Sequence, residues 1–193
     1  MHGPRPPIRI PGALAVDFAN TVACGACGVE DALARPAEFA RWSRGHPELP
    51  HRSLSRGDLA TLRAFRKSLM SILCAAVRGT FPSARSLGLL NTAIHRSVLH
   101  RGLAWEKGAW VLRVSNDARS PMEQCKTAVA RSAVELLVGP SQSKLRVCKG
   151  AGCAHFLLTR TRTQIWCSST GCGNRARVSR HYWKERAEDR ART

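Results

Sequence analysis

At 193 residues and 44% apolar composition, the chain can hold one ordinary domain with a small appendix, or two small domains, around a real core. A formal charge of +18 and a pI near 11.1 point toward a polyanionic partner. No apolar run approaches the ~18 residues a membrane span requires, which excludes a transmembrane helix.

Part of the charge reflects composition, since 25 of the 31 basic residues are Arg and 6 are Lys, a bias that a GC-rich genome produces without selection for binding. Its placement is more informative. Lys144 to Thr193 carries 12 Lys/Arg against 3 acids, so half of the net charge sits on about a quarter of the chain. That is the footprint of a basic module on a more neutral body.

Taken in chain order, residues 1–12 hold four prolines and read as an extended lead-in. Ala13 to Thr21 is compatible with a short helix or a strand. Asp17 and Asn20 interrupt its apolar run, which speaks against a signal peptide and for a cytoplasmic protein. Thiols stay reduced in that compartment, so eight cysteines point to metal rather than to disulfides. Cys24 to Gly28 reads as a turn, and Pro36 opens a short helix burying Phe39 and Trp42. From Arg56 to Arg78, Leu59, Leu62, Phe65, Leu69, Ile72 and Ala76 recur at helical spacing. Ser55 and Asp58 form a capping pair at the start, and Gly79 stops the helix. A second helix is expected from about Ser83 to Leu99, with Leu87, Leu90, Ile94 and Val98 on one face. Leu103–Trp105 and Ala109–Val114 predict a hairpin. Another helix follows Pro121, turns Cys125, Val129, Ala133 and Leu136 inward, and ends at Gly139-Pro140. Ser141 to Lys144 reads as a linker, dividing a mostly helical domain with a small β-hairpin (1–140) from a cysteine-rich basic segment (141–193).

In that segment the cysteines fall as Cys148-x4-Cys153, thirteen residues, then Cys167-x4-Cys172. Two short-spaced pairs around a hairpin-length insert are the signature of a closed tetrahedral zinc site, one ion per chain. The insert reads as a strand (Phe156 to Leu158), a polar turn and a second strand (Ile165-Trp166). The last cysteine starts a helix, giving a treble-clef-like finger of hairpin plus helix. His155 is a bystander to this thiolate set. Cys24 and Cys27 lack a second pair nearby and read as turn and core residues.

A helix is expected to run from Cys172 to about Arg190, with Val178 and Tyr182 packed toward the hairpin. Arg177, Arg180 and Lys184 lie at three- and four-residue steps, with Arg175 close by, and no acid precedes Glu185 in the helix. Such a start suits the major groove, where Arg pairs with guanine edges and Asn174 with adenine. Arg160, Arg162, Lys184 and Arg186 are the expected phosphate anchors. The helical region shows no P-loop, GxGxxG, HExxH or nucleophile elbow, and four thiolates leave zinc no open position, so no enzyme is expected.

The string Cys172-Gly173-Asn174-Arg175, with Trp166-Cys167-Ser168 before it, resembles the CGNR zinc-finger family of bacterial proteins. There the finger follows a mostly helical ABATE domain, whose N-terminal signature is similar to Val16-Asp17-Phe18-Ala19-Asn20-Thr21. The resemblance implies zinc at the four cysteines and a DNA-binding transcriptional regulator. It also implies a helical domain that senses a small-molecule ligand, with Asp17, Asn20 and Thr21 lining the site; a dimerisation unit, giving a homodimer, is the other role expected of that domain. Arg177 stands where the family often has Lys, which keeps the charge and changes the geometry. Double-stranded DNA is the expected partner. RNA binding, or a zinc-held protein-interaction module, remains open at the level of sequence.

Overall fold

The structure, a computed structural model, describes residues 14–25, 28–95, 99–106, 109–116, 120–159, 161 and 163–192. The lead-in over 1–12, Val98, Cys27, Arg160 and Arg162 lie outside them. Six α-helices and three two-stranded antiparallel hairpins are described: α1 (Leu14–Ala19), β1 (Val22–Gly25), β2 (Gly28–Asp31), α2 (Pro36–Ser43), α3 (Arg56–Arg78), α4 (Ala84–His95), β3 (Leu99–Glu106), β4 (Ala109–Asn116), α5 (Pro121–Val138), β5 (Leu145–Val147), β6 (Phe156–Leu158) and α6 (Cys172–Arg192). The chain is therefore mostly α-helical, as its periodicities predict. Among the described residues no helix is long and apolar enough to cross a membrane.

The long helix α3 organises the body. The Ser55 hydroxyl accepts from the Asp58 amide at 3.1 Å, and the Asp58 carboxylate accepts from the Ser55 amide at 2.9 Å, closing the N-terminal turn reciprocally. At the other end Gly79 turns left-handed (φ 66°), so its amide and that of Thr80 reach back to the last helical carbonyls. Between these caps Leu59, Leu62, Leu69 and Leu73 are fully buried against α1, α4 and α5.

Of the stretch expected as helix or strand, Leu14–Ala19 forms helix and Asn20 and Thr21 a turn. α1 is buried on every side, because α3, α5 and β6 surround it. Near its start an amide is satisfied from outside, Ala15 N–H donating to Ser132 Oγ at 3.0 Å. Phe18 joins α1 to Trp42 of α2 and Phe65 of α3, with ring centroids 6.0 and 6.3 Å away.

Three expectations need correction. The second helix ends at His95, because Leu99 already pairs with Asn116 in β3–β4. Its buried face is Ser86, Leu90 and Ala93, while Leu87 is exposed. Cys24 falls on a strand, β1, which pairs with β2 around the expected turn. The insert's partner strand is β5, not Ile165-Trp166: Leu145 pairs with Leu158 and Val147 with Phe156. Residues just before Cys148 thus form the hairpin, and Leu145 and Phe156 sit in the core of the helical body.

Candidate metal centre

Antiparallel β5 and β6 bring Cys148 and Cys153 to one end of their hairpin. The ladder continues one step beyond the strands, with Cys148 N–H donating to the His155 carbonyl at 2.9 Å. The turn then closes as Cys153 N–H donates to Gly150 O at 3.0 Å. A third strand-like contact, Lys149 N–H to Ile165 O at 2.9 Å, carries the chain back to Cys167. Ser168 stops the chain before α6: its hydroxyl accepts from Gly171 N–H and its carbonyl from Gly173 N–H, placing Cys172 on the first helical turn. Gly150 is required here by close approach. A Cβ at that position would lie 2.7 Å from Cys172 Sγ.

All four sulfurs lie within 4.8 Å of one another, with Cys153–Cys167 at 3.8 Å and Cys167–Cys172 at 3.5 Å. Tetrahedral zinc with four bonds near 2.3 Å sets its sulfurs about 3.8 Å apart, so the arrangement fits the ion. The donor chemistry fits as well, since four soft thiolates close the coordination sphere. Cys148, Cys153, Cys167 and Cys172 form a site for one Zn2+, the set that the spacing predicts.

The protonation energetics explain why a dication belongs there. Burial raises the Cys148 thiol, but amide donors from Cys167 (3.3 Å) and Gly150 (3.4 Å) outweigh it and hold it below the usual value. Burial and then the adjacent Cys148 sulfur push Cys153 up to about 11. Burial, the hydrogen bond to Cys172 and the neighbouring sulfurs push Cys167 up as well. Adjacent thiolates repel, whereas a bound dication inverts that balance and holds all of them ionised. His155 Nδ1 lies 3.5 Å from Cys153 Sγ, beside the thiolate set, and burial keeps its pKa below the ordinary value.

Beyond the first turn α6 stands in solvent. From Asn174 to Arg190 every residue is exposed except half-buried Ala176. Val178 and Tyr182, expected against the hairpin, are 60% and 48% exposed, because the β5–β6 hairpin packs on α1 and α3 instead. The basic side chains differ in what they touch. Arg175 donates to Cys172 Sγ at 3.0 Å and Arg177 to the Ser169 carbonyl at 2.9 Å. Arg180 Nε reaches the Ala176 carbonyl at 3.4 Å, Lys184 pairs with Glu188 at 3.7 Å, and Arg186 donates to the Tyr182 hydroxyl at 2.6 Å.

Asp17, Asn20 and Thr21 are buried. The Asn20 amide binds both backbone groups of Phe156 at 2.9 Å, clamping α1 to the finger's strand β6. The Thr21 hydroxyl donates to Phe18 O and accepts from Arg66, whose guanidinium also grips Asp31 in a bidentate pair at 2.6 and 2.7 Å. Sequence reasoning missed both networks. An Asn that opens the turn after a short helix carries no sign of a partner that lies over a hundred positions away.

The family model described as ABATE, putative stress-induced transcription regulator, matches residues 12–140, and that of the CGNR zinc finger matches residues 144–185. None of the curated proteins matches the chain.

Proposed function

The chain belongs to the ABATE family and carries a CGNR zinc finger, and from that premise we propose that it regulates transcription by binding double-stranded DNA through the start of α6. The observation that carries the reading is the state of this helix. Its first thirteen residues, Cys172 to Lys184, hold four Arg/Lys and no acid, and all four basic residues are exposed. Zinc fixes the helix at Cys172, and the Asn20 clamp fixes the finger to the body, so the basic turns project from a rigid base. A helix of this kind fits the major groove. Asn174, Arg177 and Arg180 are the groove-facing candidates, and Lys184, Arg186, Arg160 and Arg162 the phosphate anchors.

In this reading the helical body supplies dimerisation or a regulatory input, and the Asn20 clamp supports such a coupling. Both matched families are of regulator and zinc-finger type, and a closed thiolate shell gives a substrate no metal position, which supports a protein without catalytic activity.

The test is gel-shift titration of the zinc-loaded protein on duplex DNA at several salt concentrations. Binding should weaken steeply with salt; R177A with R180A should lose about ten- to a hundredfold, and K184A with R186A should reduce the salt slope by nearly two. Binding that ignores salt, or that prefers RNA in direct competition, rejects the duplex-DNA reading.

A further inference from the structure

Arg175 belongs by sequence to the basic face of α6, yet its side chain is spent differently from its neighbours. Residue 175 follows Cys172 by three positions, and side chains on a helix lean toward its N-terminus. The guanidinium accordingly folds back onto the cluster and donates to Cys172 Sγ at 3.0 Å. Two of the other sulfurs meet groups without a fixed charge, Cys148 two backbone amides at 3.3 and 3.4 Å and Cys153 the His155 ring at 3.5 Å, and Cys167 meets the sulfurs of Cys153 and Cys172. Four thiolates around a dication leave a formal charge of about −2. Arg175 places a full positive charge in direct hydrogen-bond contact with that cluster, whereas Arg177 donates to a neutral carbonyl.

We propose that Arg175 is a positioning residue of the zinc site, orienting the Cys172 sulfur through a direct hydrogen bond and offsetting the cluster's negative charge, and that it is not a nucleic-acid contact. The two ends of the finger are then coupled chemically: the helix that bears the basic surface also supplies the counter-charge that retains the metal.

The experiment uses the full chain as wild type, R175Q, R175K and the neighbouring control R177Q. Zinc affinity is measured by competition with a chromophoric chelator, and cobalt replaces zinc to report the thiolate set through its charge-transfer absorption. R175Q should bind zinc about 10–100-fold more weakly, as loss of an outer-shell partner does. R175K, which keeps the charge, should recover most of that loss, and R177Q should match wild type within about twofold. The tetrathiolate cobalt spectrum should persist in R175Q at saturating metal, which separates weakened binding from misfolding. Wild-type zinc affinity in R175Q overturns the proposal, and so does an equal loss in R177Q, which would mark a diffuse charge effect. A second measurement rests on the DNA-binding reading: at saturating zinc, R175Q should keep the wild-type salt slope while K184Q, at an expected phosphate anchor, lowers it by about 0.9. A lowered slope in R175Q overturns the proposal. Absence of DNA binding by wild type would reject only the regulator reading, since the zinc titration stands without it.

Discussion

Where α3 buries Leu59, Leu62, Leu69 and Leu73 in a core shared with α1, α4 and α5, the cysteine segment's own apolar cluster is Leu157 beside Cys148 and Cys172, with Cys153, Trp166 and Cys167 half-buried around it. A buried Leu or Phe side chain contributes about 1.5–3 kcal/mol, so the body can reach stability from many such terms. One Leu and a Trp cannot order the stretch from Lys149 to Cys172, and the metal must supply what the missing core does not. A structural zinc site contributes about 10 kcal/mol or more to a segment of this kind. The contrast teaches that a single covalent-strength centre substitutes for a core, and that it makes order conditional on an ion.

Chelation is the strongest way to break that contrast. On removal of zinc the amides of Cys148, Cys153 and Cys167 should lose protection from hydrogen exchange, while those of α3 keep it. The body should still feel the loss, because Leu145 and Phe156 sit in its core. If both detach, roughly 3–6 kcal/mol of burial goes with them and the melting temperature of the helices falls. Finger amides that stay protected in the metal-free protein would contradict the account.

A smaller perturbation tests the joint between the two regions. Asn20→Ala removes both hydrogen bonds to Phe156 and leaves a buried amide and carbonyl without partners, at about 1–3 kcal/mol for each. The zinc-loaded variant should lose roughly 2–4 kcal/mol in denaturant titration, with its cobalt spectrum unchanged. Faster exchange should appear first at Phe156. A loss below about 0.5 kcal/mol would show that apolar packing alone docks the finger.

These sites also mark how far the sequence could be read. The bounds of α3 were legible because both ends carry chemical stops, Ser55 with Asp58 and Gly79, and the stripe between them is unbroken. The zinc ligands were legible because metal geometry constrains spacing locally. The hairpin of the finger was not: β5 is three residues long, Leu145-Arg146-Val147, too short for alternation to register, and its burial depends on α3, remote in sequence. Val178 and Tyr182 misled for the opposite reason. Apolar residues at helical spacing look like a packing face, and on α6 the hairpin that would receive them is docked elsewhere. Asn20 and Thr21 stood out correctly as buried polar residues, but only the three-dimensional partners show that their atoms serve the fold.

Acid provides the finest test, because it acts on both regions through different groups. At the finger protons compete with zinc for thiolates, so the metal is lost as pH falls. In the body a sensitive group is Asp31, more enclosed than the capping Asp58. Burial raises its carboxyl, but the bidentate bonds from Arg66 and the Leu33 amide outweigh that and hold it below the ordinary value of 3.8. The folded pKa being depressed, the unfolded chain binds the proton more readily. The pair's contribution is therefore present above about pH 4 and lost as pH falls through the folded value. Carboxyl carbon shifts followed by NMR on the chelated protein should give Asp31 a midpoint below 3.8, and the helical body should weaken over the same range. A midpoint at or above 3.8 would mean that the Arg66 pair does not hold in solution, leaving the Arg63 bond to the Leu33 carbonyl as the polar tie from α3 to the chain after β2.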